Sequence, residues 1–347
     1  MPSTRVNPDS ATSNRCFKAM PNRAEALAQL DSFSLNKLKF YAGERNYDYG
    51  SGNRSNVSVL SPWVRHRLIS EGEIIENLLR THSWKDAEKF IQQVIWRTYF
   101  KGWLEQHPSV WGSYLTGVMR GMREVTSDKN KSRIYQKAIT GETGIDCFDN
   151  WVGELADHSY LHNHTRMLFA SIWIFTLRLP WQKGAEFFMK HLYDGDAASN
   201  TLSWRWVAGI QTKGKNYLAQ SWNISKFTNN KYKNVKLNET APPVIDNREY
   251  KITPVKINKN EDINDHLIIF ENEIYTDFLE LKKYKKIYFV LLGDENRSIK
   301  LSTKVMDFKK KIITSQLNEI KYEAELLDGN AFTNFTKTSS SFDVMYP

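Results

Sequence analysis

The sequence predicts a mainly α-helical protein followed by a small α/β unit, and three observations carry that prediction. Residues 83–111, SWKDAEKFIQQVIWRTYFKGWLEQHPSVW, place apolar and aromatic groups at i, i+3, i+4 and i+7, the spacing of an amphipathic helix. Residues 160–206 hold an apolar segment, MLFASIWIFTLRL, flanked by polar residues that share helical faces: Asn163, Arg166 and Met167 at its start, Asp196 and Asn200 beyond it. After Asn229 the chain turns Lys- and Asn-rich, and then two runs of Ile, Val, Phe and Tyr, HLIIFENEI and KKIYFVLLG, read as strands.

Taken in order, residues 1–24 are polar and aperiodic and read as a loose lead-in. Helical patterning starts near Arg23 with AEALAQLDSF, opening a helical domain expected over residues 25–228. A loop rich in Gly, Asn and Ser follows Tyr41 and feeds a helix that opens at Ser61, with Pro62 at its first position. Backbone N–H groups presented there are either satisfied by a cap and the turn before it or donate to an anion. On the helix of residues 83–111, Gln93, Trp96, Arg97 and Phe100 fall along one stripe. An Arg among buried aromatics requires an anionic partner, because an unpaired buried charge is very costly. Residues 112–142 mix Gly, Lys and Ser with weak helical signal and read as an excursion over the surface. A run of helices then extends from Thr143 to about Ala219.

Within that run, MLFASIWIFTLRL is broken by polar groups and stopped by Pro180 too early to cross a bilayer, so it reads as a buried core helix. Asp194, Gly195 and Asp196 open the following helix and are placed to cap it. Inward polar groups on both helices imply a polar ligand held inside. Residues 229–264 read as a linker, 265–335 as the α/β unit with VMDFKKKIITSQLNEI as its helix, and 336–347 as a loose serine-rich tail.

The 347 residues suffice for one large or two modest domains. Cys16 and Cys147 are too few for a disulfide framework or a four-cysteine iron–sulfur site. No apolar run is long enough to span a membrane, and the first residues lack the apolar stretch of a secretory signal, so a cytoplasmic protein is expected. His158, His162 and His164 do not share a helical face and no carboxylate or thiol completes a set, so no metal site is expected. The net charge of +9 is compatible with a phosphate backbone and equally with plain solubility.

The string DGDAASNTLSWRW resembles the flavin-binding core of the photolyase/cryptochrome family, and LHNHTRM is similar to that family's His-Asn-x-x-Arg-Met segment. The spacing holds without gaps from Thr143 to Trp206, about sixty residues. The resemblance implies FAD, bound by Tyr41, by Val57, Ser58, Val59, Leu60 and Ser61 in place of a Thr-Ser-x-Leu-Ser string, by Arg97, and by Arg166 paired with Asp194. It extends the set to Gly195, Asp196 and Asn200, the last beside the redox-active ring nitrogen. Val57 lacks the hydroxyl of the usual Thr. Trp204 and Trp181 match two of the family's three electron-transfer tryptophans; the third is absent near Asp128, where Tyr135 is the closest substitute.

The same resemblance places Gln93, Trp96, Asn163 and Met167 against a DNA lesion, with Arg45 and His164 as further DNA contacts. Gln93 stands where dimer photolyases have Glu, and His164 where they often have Arg. Asn163 and Met167 match dimer-type photolyases and differ from the two histidines of (6-4) photolyases. The implied activity is that of a deoxyribodipyrimidine photo-lyase: light-driven repair of cyclobutane pyrimidine dimers in damaged single-stranded or duplex DNA, the lesion flipped out onto Trp96. The alternatives are a cryptochrome-like blue-light or redox sensor, with the C-terminal unit as a surface for a protein partner, and a flavin protein that makes no use of light. Relatives normally carry an α/β antenna domain before the helical domain; with the flavin core starting near residue 25, the chain reads as a short form lacking it.

Overall fold

The computed structural model describes residues 19–255, 263–338 and 341–345; Cys16, most of the expected lead-in, residues 256–262 and parts of the tail lie outside the described residues. Helix α1 (Arg23–Asn36) starts where the Asn22 side chain accepts the Glu25 amide, and α2 (Leu38–Glu44) follows directly. A loop leads to the short α3 (Ser61–Arg65), and Ser70 with Glu73 forms a reciprocal capping box that opens α4 (Glu71–Thr81). Helix α5 (Trp84–Gln106) stops at His107 because Pro108 begins α6 (Pro108–Ser127).

The expected surface excursion over residues 112–142 is instead helical: the second half of α6, then α7 (Lys129–Thr140) with Asp128 as its cap and Gly141 ending it at φ 73°. The glycines that weakened the sequence signal are contact points. A Cβ on Gly117 would lie 2.9 Å from Gln182, and one on Gly121 3.1 Å from Pro180, so their absence of side chain lets α6 approach the next layer.

Helix α8 (Asp146–His158) leads into α9 (Asn163–Ser171), which runs on as a π-helical stretch (Ile172–Thr176). The expected core helix is therefore there but wound in two geometries, a feature that often marks functional helices. Pro180 ends it and precedes α10 (Trp181–His191); α11 (Ala197–Val207) and α12 (Ser221–Phe227) complete the helical part. Gly184 lets α10 meet α11: a Cβ there would sit 2.2 Å from the Trp204 ring and 3.0 Å from Trp173. Gly184→Ala is expected to cost at least the upper part of the about 1–3 kcal/mol typical of overpacking, read as a lowered urea midpoint.

Residues 229–255 carry no helix or strand and run along the helical part, held by Val244 N–H to Ala208 O (2.9 Å), Thr253 N–H to Gln106 O (2.8 Å) and an Arg205–Asp246 ion pair (3.4 Å).

The C-terminal unit contains β1 (His266–Phe270), β2 (Lys286–Leu291), α13 (Thr303–Glu319), β3 (Ala324–Asp328), α14 (Gly329–Thr338) and β4 (Asp343–Val344). The sheet order is β3-β2-β1-β4, all parallel. Both faces are covered, as parallel sheets require. Phe308, Ile312 and Ile313 of α13 pack with Leu267, Ile269, Ile287 and Phe289, while Phe332 and Phe335 of α14 pack with Ile268, Tyr288 and Val290. The tail expected to be loose supplies the fourth strand: Leu267 pairs with Asp343 and Ile268 with Val344. The α13 face of the sheet also shares one apolar cluster with Leu30, Phe33, Trp63 and Ile74, so the unit is packed into the helical part.

Candidate functional site

The site is organised at the N-terminus of α11. Asp196 caps the helix by accepting the Ser199 amide at 2.8 Å and is 5% exposed. Its other neighbours are guanidinium groups: Arg65 Nε at 3.5 Å and Arg97 Nη1 at 3.8 Å. Burial pushes the Asp196 carboxyl upward, but Arg65, Arg97 and the Ser199 amide outweigh it and hold the group well below the usual carboxylate range. Arg65 also donates to Gly195 O at 2.7 Å, which fixes the turn before the helix. Beside it, Arg166 Nη2 pairs with Asp194 at 2.9 Å. Asn200, one turn into α11, donates to Ala185 O at 2.8 Å and so ties α11 to α10.

The charges continue outward from Asp196. Arg97 donates to Glu71 (3.2 Å), Glu71 receives Arg67 (2.6 Å), and Arg67 and Lys101 both reach Glu273 of the C-terminal unit (2.8 and 3.1 Å). The neighbouring Glu271 receives Arg297 through two nitrogens and Lys309 at 3.1 Å. Six cations thus face four carboxylates, with Arg65 acting electrostatically on both Glu271 and Glu273. Burial pushes the Lys309 ammonium down to about 8, opposed by Glu271, while Glu271 itself, despite burial, is held at about 2 by Lys309 and Arg297.

Arg65, Lys309 and the carboxylates are largely buried while Arg67 and Lys101 are part-exposed, and the excess of two cations favours an anion beside the buried ones. The atoms without a protein partner point the same way: Arg97 Nη2, Asp194 Oδ1 and Ser199 Oγ are buried and unbonded. A diphosphate supplies negative charge and acceptors for the guanidinium, and a heteroaromatic ring with N–H donors supplies what Asp194 Oδ1 lacks. The residues present therefore fit FAD.

The remaining residues assigned to the cofactor lie on α2, on the loop before α3 and at the first residue of α3. Tyr41 is buried edge-on to Phe33 (5.8 Å) and Phe90 (5.1 Å), and burial raises its phenol to about 12. Val57, Val59 and Leu60 are buried, Ser58 is half-buried and Ser61 is exposed. Val59 has φ 50°, a left-handed conformation that a β-branched residue adopts only when its surroundings impose it.

On the expected lesion side, Trp96 is 50% exposed, edge-on to Tyr99 at 5.3 Å and tilted on Phe100 at 5.7 Å. Gln93, Met167 and Arg45 are half-buried and Asn163 is exposed. His164 requires a correction. It is 6% exposed, its Nδ1 lies 2.9 Å from Asn46 O and its Nε2 3.1 Å from Tyr217 Oη, so both nitrogens are engaged inside the protein and no edge is left for DNA.

Trp204 and Trp181 are both buried. Trp204 meets Trp173 at 6.3 Å, and Trp173 meets Tyr135 at 6.0 Å; Trp181 stacks on Tyr114 at 5.7 Å. Sequence reasoning missed Trp173, whose only signal was its place in an apolar run that looked like uniform packing. A separate cleft of about 450 Å³ is lined by Asp48, Glu154, Asp157, His158, Lys231 and Tyr232, none of them assigned to FAD or DNA. There Arg54 pairs with both Asp48 and Glu154, and burial, aided by Asp48 and opposed by Arg54, pushes the Glu154 carboxyl up to about 7.

The family described as "FAD binding domain of DNA photolyase" matches residues 90–238. The deoxyribodipyrimidine photo-lyase of Streptomyces griseus is 32% identical over 157 residues, which cover 45% of this chain and 33% of that protein. The mitochondrial enzyme of the same name from Saccharomyces cerevisiae is 30% identical over 190 residues, covering 52% of this chain and 32% of its own. Among solved structures, a class III photolyase from Agrobacterium tumefaciens superposes with a TM-score of 0.50 at 26% identity, covering 59% of this chain and 42% of that one. A Synechocystis cryptochrome shares the fold, with a TM-score of 0.51 at 21% identity, covering 65% and 46%. The chain spans about a third of the length of the two curated relatives. Residues 90–238, most of the helical part beyond α4, are thus similar to the FAD-binding domain of DNA photolyase.

Proposed function

We propose that this protein repairs cyclobutane pyrimidine dimers in DNA under blue light, with FAD bound around Asp194, Asp196, Arg97 and Arg166. The observation that carries this reading is the two-sided character of α5. One face offers Trp96, half exposed, beside Tyr99 and Phe100; the adjacent Arg97 turns inward to Asp196 and Glu71. A base taken out of its stack needs an aromatic surface, and that surface here is one residue from the cofactor-side guanidinium.

FAD, when bound, reduced and excited, supplies the electron that splits the dimer and receives it back, so no net oxidation results. The chain's own residues do the rest. Arg97 and Arg65 neutralise the phosphates, the Arg166–Asp194 pair holds the pocket's shape, and Ala185 O of α10, accepting from the Asn200 side chain, orients its amide. Gln93 and Asn163 offer amide hydrogen bonds to a base, and Trp96 stacks on it.

The second reading, a sensor without repair activity, is supported by His164, which is buried where an Arg would reach DNA, and by Gln93 in place of Glu. The test is a dimer-loss assay on dimer-containing single-stranded DNA with FAD-loaded, reduced protein under blue light, beside a gel shift in the dark. Loss of dimers only in the light is the expected result. Dimer binding without loss selects the sensor, and neither binding nor loss overturns the repair reading.

A further inference from the structure

We propose that the C-terminal α/β unit clamps the cofactor site, with Glu273 as the positioning residue that sets Arg97 through Arg67 and Glu71. In an open parallel sheet ligands bind where the strand order reverses, which in the order β3-β2-β1-β4 is at the ends of β1 and β4. Here the chain leaving β1 is turned into the helical part instead. Glu271 and Glu273, 4% and 2% exposed, are spent on cations, and the backbone at Glu271 and just after Glu273 is bonded across the seam. Ile274 N–H donates to His66 O at 3.2 Å, and His66 Nδ1 lies 3.0 Å from Glu271 O.

Arg65, His66 and Arg67 form the bridge. On one side Arg65 donates to Gly195 O and His66 Nε2 lies 3.3 Å from Tyr193 O, so the bridge grips the turn that carries Asp194 and Asp196. On the other, Arg67 joins Glu273 to Glu71, and Glu71 is the protein group that receives Arg97 Nε. Arg67 sits at φ 56°, a region disfavoured for a side chain with a Cβ, and its two carboxylate partners hold it there. Lys101, one turn beyond Arg97 on α5, is fixed by the same Glu273. A single carboxylate of the α/β unit therefore restrains two cations, one sharing Glu71 with Arg97 and the other one turn from Arg97 on α5.

The inference rests on FAD occupying the site described above. The experiment uses the full chain, loaded with FAD, with Glu273→Gln, Arg67→Gly and both together. FAD release is followed by recovered flavin fluorescence on dilution, and melting temperatures are taken for apo and loaded forms. Each single variant is expected to release FAD at least tenfold faster, the double less than twofold faster again, and the gap between loaded and apo melting temperatures to narrow. Glu325→Gln, on the same sheet but at an exposed pair with Lys286, is expected to release FAD as the unaltered protein does.

A purely structural role lowers both melting temperatures together and leaves the release rate within twofold, which would overturn the clamp. If Glu273→Gln does not fold, Arg67→Gly decides alone, since glycine suits that backbone. An unaltered protein that binds no FAD removes the cofactor assignment and the clamp with it; one that binds FAD, with variants that hold it equally well, removes the clamp only.

Discussion

Asp196→Asn is expected to lower the unfolding free energy by about 3–5 kcal/mol at neutral pH, the largest single effect in the molecule. Asparagine keeps the size and can still cap α11, so what is lost is the negative charge facing Arg65 and Arg97. Arg65 is buried and retains one hydrogen-bond partner, Gly195 O, with Glu271 and Glu273 acting on it only at longer range, and a guanidinium without its paired carboxylate there is far costlier than the absence of the whole pair. The sign of the pH dependence separates this from loss of packing. Because the folded Asp196 holds its proton more weakly than the unfolded chain does, its contribution is complete above the ordinary Asp value near 4 and disappears as pH falls through the lower folded value. Urea titrations of the two proteins are thus expected to differ widely at pH 7 and to converge under strong acid. Coincident midpoints at pH 7 would mean that the Arg65–Asp196 contact does not form.

Trp96→Ala is expected to leave the fold untouched and to weaken binding of dimer-containing DNA by about 5- to 150-fold, the equivalent of the about 1–3 kcal/mol that one base–aromatic contact contributes. The indole is half exposed, so its removal opens no cavity, and the shift in stability is expected within about 0.5 kcal/mol. Fluorescence anisotropy with dimer-containing and undamaged single strands measures the effect. Undamaged DNA held on phosphate contacts should lose much less, and an equal loss for both strands would assign Trp96 to general attraction rather than to the lesion.

What could be read from residue order alone was what repeats at short range. The polar faces of α9 and α11, the capping role of Asp196, the Arg166–Asp194 pair and the inward Arg97 all follow from helical spacing, or from a motif held within about sixty residues. Glycine misled where it serves contact: Gly117 and Gly121 look like helix breakers and are places where α10 comes close. Strand β4 escaped because two residues in a serine-rich stretch carry no alternation to detect. His164 looked available because neither Asn46 nor Tyr217 is near it in sequence. The seam of Arg65, His66 and Arg67 with Glu271 and Glu273 was invisible for the same reason, its partners being separated by as many as 206 positions.

That separation has a consequence for how the molecule is made. A ribosome adding about 5–20 residues per second needs on the order of 10–40 s to go from Arg67 to its carboxylate on the far unit. During that interval the helices up to α12 emerge and can collapse, while Arg67, paired so far only with Glu71, still lacks Glu273, and the apolar flank of α1 and α4 still lacks its cover. The nascent helical part therefore passes through a stage in which this seam faces water, and the last strand to form, β4, closes the sheet only after nearly the entire chain has been synthesised.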